Sequence, residues 1–413
     1  MKKIKFLLIL LLSGSTLLTA QNQKKAYLAP ATQKGAEWET KATKEDKNNN
    51  PEDILLLHPD KDMVPRLAQY KWRMPAWKVK NKPQPSFVML HFSDLHSSST
   101  ELKRIMVFYN YYEEYFDAAV SSGDAIHHWA LDDSFWKADG ASKVLPVLGN
   151  HEVFAPFNSE RTVRGVPLKK WYTPSFSEKE AYNRYFKPYL AETQFTEIPE
   201  GKCYWYKDFR EENVRLIGLD HFHWKEKVVL DDGRKVSEYP DGEKTDRGEQ
   251  LAWFKKTLAD AREKGFSVIC VDHCPCRDAR VEPIDCPFTS VYRPGGMRDN
   301  HNPGQVEAVD EFIVNGGDFV AWIGGHLHYD LFSIINAEHS KQLSVALDKA
   351  SREHTGEMKF AGTVSEDLFT VIAVDPRVGY ITFQRIGPEY DTYGRHIGTL
   401  VYNYREKKIV CWD

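Results

Sequence analysis

Five short segments carry side chains of the kinds that hold hard or borderline divalent cations: Asp94-Leu95-His96, Gly123-Asp124, Gly149-Asn150-His151-Glu152, Asp272-His273 and Gly325-His326-Leu327-His328. Together they offer carboxylate, imidazole and amide oxygen, and no thiolate belongs to the pattern. Divalent cations held by such groups can acidify a bound water and clamp phosphoryl oxygens. Phosphoryl transfer gains mainly from charge neutralisation and positioning, so a phosphate ester suits such a centre. No Gly-x-Ser-x-Gly elbow and no Gly-x-x-x-x-Gly-Lys loop competes with this reading.

For these segments to act together they must be brought to one place, and the runs before them provide the means. Residues 86–92, 118–122, 143–148, 266–271 and 318–323 have the apolar, β-rich character of strands, and one of the five segments follows each. Ligand-binding groups in open α/β sheets collect at the carboxyl ends of strands, so Asp94 and His328 can meet despite their separation. Apolar spacing predicts helices over residues 101–117, 247–264 and 304–314, the second with Leu251, Trp253, Phe254, Leu258 and Ala261 on its apolar face. Residues 155–200 read as an insertion with a helical portion around 178–190, residues 203–209 and 214–219 as further strands, and 274–303 as a long irregular loop. From residue 331 almost everything is strand-like. This order implies an α/β fold of two sheets packed face to face with helices outside, the second half being richer in antiparallel strands.

The 413 residues are 42% hydrophobic and 13% aromatic, too much apolar and ring surface for a disordered polymer. Lys and Arg number 55 against 59 Asp and Glu, a formal charge of −4, so no net positive field favours nucleic acid or an anionic membrane. At the amino end, Lys2, Lys3 and Lys5 precede an apolar run ending at Leu18-Thr19-Ala20, the pattern of a cleaved secretory signal over residues 1–20. An uncleaved membrane anchor is the rival reading. No later window is long and apolar enough to span a bilayer. Residues 21–84 read as a flexible lead-in and extended segment. Export makes the six cysteines relevant. Cys274-Pro275-Cys276 with Cys286 is a candidate thiolate site, but no fourth ligand has zinc-site spacing; a loop disulfide or free thiols is the simpler reading.

The five segments, in this order, resemble the pattern of the calcineurin-like metallophosphoesterases: Asp-x-His, Gly-Asp, Gly-Asn-His-Asp/Glu, a lone His, then Gly-His-x-His. The resemblance covers roughly residues 86–330 and implies a helix-flanked two-sheet β-sandwich with a dinuclear metal centre at one edge. With the element order, a catalytic domain is expected over residues 85–350, with a C-terminal β extension, 351–413, packed on it. Carried over by position, one metal would be held by Asp94, His96, Asp124 and His328, and the other by Asp124, Asn150, His273 and His326. Asp124 would bridge the two ions, of the Mn, Fe or Zn type, and His151 would be the catalytic histidine.

Departures from the pattern leave the subfamily open. Three residues after the bridging aspartate, protein phosphatases carry an Asp that orients the catalytic histidine and purple acid phosphatases a metal-binding Tyr; here that residue is His127. Another carboxylate such as Asp94, or a water, would then have to orient His151. His127 and His128 are candidates for contact with substrate. So are His221 and His223, at the end of another strand, and Arg277 and Arg293, in the loop leaving from His273. For each of them an ordinary surface or packing role is the rival reading.

The expectation is a periplasmic or secreted dinuclear phosphoesterase that hydrolyses small phosphomonoesters or phosphodiesters by in-line attack of a metal-bridging hydroxide. The alternative, a metal-stabilised binding or structural protein without turnover, needs neither a free histidine like His151 nor an open coordination position. The oligomeric state is left open.

Overall fold

The computed structural model describes residues 87–96, 116–125, 140–153, 178–220, 248–274, 280–286, 303–347, 368–386 and 399–412, several positions between 102 and 113, residue 350, and five short strands between 162 and 238. The signal-like residues and the lead-in lie outside this set.

Among the described residues, fourteen strands form two seven-stranded sheets. In chain order they are β1 (Phe87–Phe92), β2 (Ala118–Ser121), β3 (Leu145–Pro146), β4 (Trp205–Phe209), β5 (Val214–Gly218), β6 (Ser267–Val271), β7 (Val281–Pro283), β8 (Asp318–Gly324), β9 (Leu331–Asn336), β10 (Lys341–Ala346), β11 (Phe369–Asp375), β12 (Tyr380–Ile386), β13 (Thr399–Asn403) and β14 (Lys408–Trp412). The first sheet runs β14-β13-β12-β11-β1-β2-β3 and the second β7-β9-β10-β8-β6-β5-β4. Parallel pairing joins β1, β2 and β3 at one end of the first sheet and β5, β6, β8 and β10 in the middle of the second. The other pairings are antiparallel, on one side of the parallel strands in the first sheet and on both sides in the second.

Strands β1, β2 and β6 are buried along their whole length, the pattern of a sheet covered on both faces. Between the sheets, Phe332 of β9 meets Phe383 of β12 edge-on at 5.0 Å between ring centroids, and Phe87 of β1 meets Phe209 of β4 at 4.7 Å. Two helices, α1 (Gly248–Lys264) and α2 (Pro303–Val314), bury Phe254, Leu258, Ala261, Val306, Val309 and Phe312 against Ile217, Val268 and Trp322 on the outer face of the second sheet. Helical residues Leu102, Ile105, Met106 and Phe108 cover the first sheet, where Phe108 and Phe369 lie 4.9 Å apart. The result is helix, sheet, sheet, helix, the α/β sandwich expected.

Several boundaries differ from expectation for identifiable reasons. The strand expected over 143–148 is only Leu145–Pro146, because Pro146 has no N–H and can sit only at a sheet edge. Within the loop expected over 274–303, Val281–Pro283 pairs with β9 as a short edge strand. The C-terminal strands enter the first sheet directly, β11 pairing with β1. Cys203, Cys270, Cys274 and Cys286 are buried and in no disulfide. Cys276 and the side chain of Cys411 lie outside the described residues.

Candidate metal centre

The parallel strands of both sheets end at the same edge of the sandwich, and the chain turns sharply after each. Asp94 and His96 follow β1, Asp124 follows β2, Asn150 and His151 follow β3, His273 follows β6, and His326 and His328 follow β8. Glycines allow the turns to touch. A Cβ on Gly149 would stand 2.1 Å from Asp124 Oδ1, and one on Gly325 would stand 1.9 Å from Ser93 Oγ and 2.4 Å from Asp94 Oδ2. Neither position has room for a side chain.

The eight residues form two adjoining groups. In one, His96 Nε2 faces His328 Nε2 at 3.0 Å, with Asp94 Oδ1 at 3.2 Å from His328 Nε2 and 3.9 Å from His96 Nε2. In the other, His273 Nε2 faces His326 Nδ1 at 3.1 Å, Asn150 Oδ1 at 3.2 Å and Asp124 Oδ2 at 3.3 Å. Ligand atoms of Asp94, Asp124 and His273 lie within 4.8 Å of one another, as do those of His96, Asp124 and His151, so Asp124 belongs to both groups.

Supporting groups hold these side chains still. Ser122 O receives a hydrogen bond from His273 Nδ1 at 2.7 Å, which leaves Nε2 as the ring's ligating atom. Ser93 Oγ and the His326 N–H both donate to Asp94 Oδ2, at 2.5 and 2.9 Å. Glu152 Oε2 accepts the N–H groups of Asp124 and Gly149 at 2.8 and 2.7 Å. The backbone of the shared aspartate is thus tied to the Gly-Asn-His-Glu turn. Glu152 was visible as part of that tetrapeptide, but nothing in sequence indicated which backbone groups it would bind.

The electrostatics of the cluster call for a cation. Asp94 and Asp124 are both buried, at 0% and 1% exposure. Burial pushes each carboxyl up, but neighbouring imidazoles outweigh it, His328 hydrogen-bonding to Asp94 and His273 acting mainly by its charge on Asp124; both fall below the ordinary range. Burial also works against a protonated His273, yet the Asp124 carboxylate overrides it and lifts the ring to about 10. Burial pushes His96 down to about 3. Two buried carboxylates that draw a proton onto an enclosed imidazole, beside pairs of imidazole nitrogens facing each other, fit divalent cations bound by oxygen and nitrogen.

His151 sits at the rim, its side chain 19% exposed, with Nε2 3.6 Å from Asp124 Oδ2. Its N–H donates to Asp124 Oδ1 at 2.8 Å. Asp124 is thus a carboxylate beside the ring. His127, His128, His221, His223, Arg277 and Arg293 lie outside the described residues.

A helix-flanked sandwich with this cluster at the strand ends is the architecture of a metal-dependent phosphoesterase. The calcineurin-like phosphoesterase family model matches residues 87–330, and the chain belongs to that family. Among solved structures, a dimetal phosphatase from Danio rerio is 13% identical, covering 78% of this chain and 99% of its own, with a TM-score of 0.45. The inner-membrane-complex anchor of Plasmodium is likewise 13% identical, covering 78% of this chain and 90% of its own, with a TM-score of 0.39. No curated protein matches significantly.

Proposed function

We propose that the chain is exported and hydrolyses small phosphomonoesters or phosphodiesters by in-line displacement at two divalent cations of the manganese, iron or zinc type. The observation that supports this most is the convergence of seven oxygen and nitrogen ligands into two groups sharing Asp124. Asp94, His96, Asp124 and His328 would hold one cation; Asp124, Asn150, His273 and His326 would hold the other. When bound, such a pair supplies charge neutralisation at the phosphoryl group and acidifies water. The chain's own residues do the rest. Ser93, Ser122 and Glu152 fix the ligands before substrate arrives, so no reorganisation is needed during reaction. His151, at the rim beside Asp124, is placed to give a proton to the departing ester oxygen.

The test joins metal content to turnover. Purified protein reconstituted with manganese, iron or zinc should hold close to two ions per chain and hydrolyse members of a panel of nucleotide- and sugar-linked mono- and diesters. Asp124→Ala should lose both ions, because each then lacks a ligand and their mutual repulsion is restored. Two ions retained by that variant would refute the bridge, and two ions without turnover on any ester would favour a binding protein. Amino-terminal sequencing of the exported protein should begin near Gln21; intact Met1 in the membrane fraction would refute a soluble exported form.

A further inference from the structure

The sequence pattern of the site contains no sulfur, yet the fold brings one beside it. Cys274, directly after His273, is 0% exposed. Its Sγ forms, with one ring nitrogen each of His273 and His326, a group of potential ligand atoms all within 4.8 Å of one another. Close backbone approaches produce this meeting. The Gly325 N–H donates to His273 O at 3.0 Å, and a Cβ on Gly324 would stand 2.8 Å from Asp272 O. The turn after β6, which carries Cys274, is thus pressed against the turn after β8, which carries His326.

The other described thiols are placed differently. Cys270 belongs to the apolar layer under the helices and Cys286 to the core between the sheets. Burial pushes the Cys203 and Cys270 thiols well up. Among the described residues none of these three joins a group of potential metal ligands, and Cys274 alone does.

We propose that Cys274 binds, as a thiolate, the cation assigned to Asp124, Asn150, His273 and His326, and that it makes this position select zinc or iron over magnesium, calcium or manganese. The proposal rests on the two-cation reading above. A soft sulfur donor among imidazole and oxygen donors shifts preference toward thiophilic ions, whereas oxygen-rich sites suit magnesium, calcium and manganese. On binding, the thiol proton passes to solvent. Cys274 thereby adds sulfur to one of two positions that otherwise offer only oxygen and nitrogen donors.

Cobalt(II) and zinc distinguish the outcomes on the full-length protein. Cobalt-loaded protein with two ions per chain should show a near-ultraviolet thiolate-to-cobalt charge-transfer band. Cys274→Ser and Cys274→Ala should each abolish the band while keeping both ions. Their preference for zinc over manganese should fall about tenfold, the lower end of what losing one supporting contact does at metal sites. Zinc-loaded wild-type protein, which needs no variant to fold, should show a sulfur neighbour at about 2.3 Å by X-ray absorption. Two bound ions with neither band nor sulfur neighbour, or a band that persists in both variants, would overturn this proposal and leave the two-cation reading intact. Protein that takes up neither cobalt nor zinc would overturn both.

Discussion

Asp94, His96, Asp124, His326 and His328 hold left-handed backbone, with φ of 55°, 50°, 52°, 65° and 57°. That conformation costs a non-glycine residue about 1–2 kcal/mol, so the site stores strain that packing elsewhere must offset. At His328 the strain can be isolated from the lost ligand. In metal-free protein, His328→Gly should be more stable than His328→Ala by about 1 kcal/mol, because only glycine accepts that backbone freely. Equal urea midpoints, or a more stable alanine variant, would show that His328 is not strained. His151 raises a question of chemistry. It packs edge-on against His96, 4.5 Å between ring centroids, and Asp124 holds its backbone. A general acid matters most when the departing oxygen is a strong base. His151→Asn should therefore keep both metals yet lose roughly 10²–10⁴ in kcat on an alkyl phosphate, and clearly less on p-nitrophenyl phosphate. Equal losses on both esters would reduce His151 to a hydrogen-bond donor toward the phosphoryl oxygens.

The elements that carry the ligands were largely legible because each has a strong local signature. Helix α1 announces itself by apolar residues at helical spacing, and the buried parallel strands by continuous apolar runs. What the sequence concealed depends on distant partners. Nothing local shows that β11 pairs with β1, or that Arg385 on β12 reaches Asp330, two residues beyond His328. That ion pair joins the first sheet to the ligand loop of the second, with Arg385 Nη2 3.0 Å from Asp330 Oδ1 and exposures of 1% and 0%. Arg385 also meets Thr370 Oγ1, and its charge adds to burial in holding the neighbouring His91 ring down at about 3. The C-terminal strands thus reach the ligand loop through one buried ion pair. Removing one member of a buried pair leaves the other charge uncompensated, so Arg385→Met should cost about 3–5 kcal/mol in urea unfolding. Adding Asp330→Asn should recover part of that loss. A single-variant cost below about 1 kcal/mol would mean that the charges do not meet in this way.

At the scale of the whole molecule, the cluster of candidate ligands joins the sheets at one edge and a second polar cluster joins them at the other. Asp318 opens β8 in the second sheet, while Tyr404 and Arg405 lie in the turn between β13 and β14 of the first. Arg405 donates to both Asp318 oxygens, Nε to Oδ1 at 2.9 Å and Nη2 to Oδ2 at 2.7 Å. Ser267 Oγ at 2.5 Å and Tyr404 Oη at 2.9 Å also donate to Oδ2. Burial would raise the Asp318 carboxyl, but the hydrogen bonds from Arg405 and Ser267, with the Arg405 charge, outweigh it and hold the group below its ordinary value. The sign of the pH effect follows. The folded protein takes up this proton less readily than the unfolded chain, so the clasp stabilises fully above the unfolded carboxyl's pKa of about 3.9 and is lost as pH falls through the lower folded value. Asp318→Asn should therefore lower the urea midpoint at pH 7. Its deficit relative to wild type should shrink as pH drops below about 4, even though both proteins weaken together as the buried site carboxylates take up protons. The comparison by difference removes those shared losses. A deficit that stays constant from neutral to acid pH would show that Asp318 contributes packing rather than charge, and that the sheets are held at this edge by their apolar core alone.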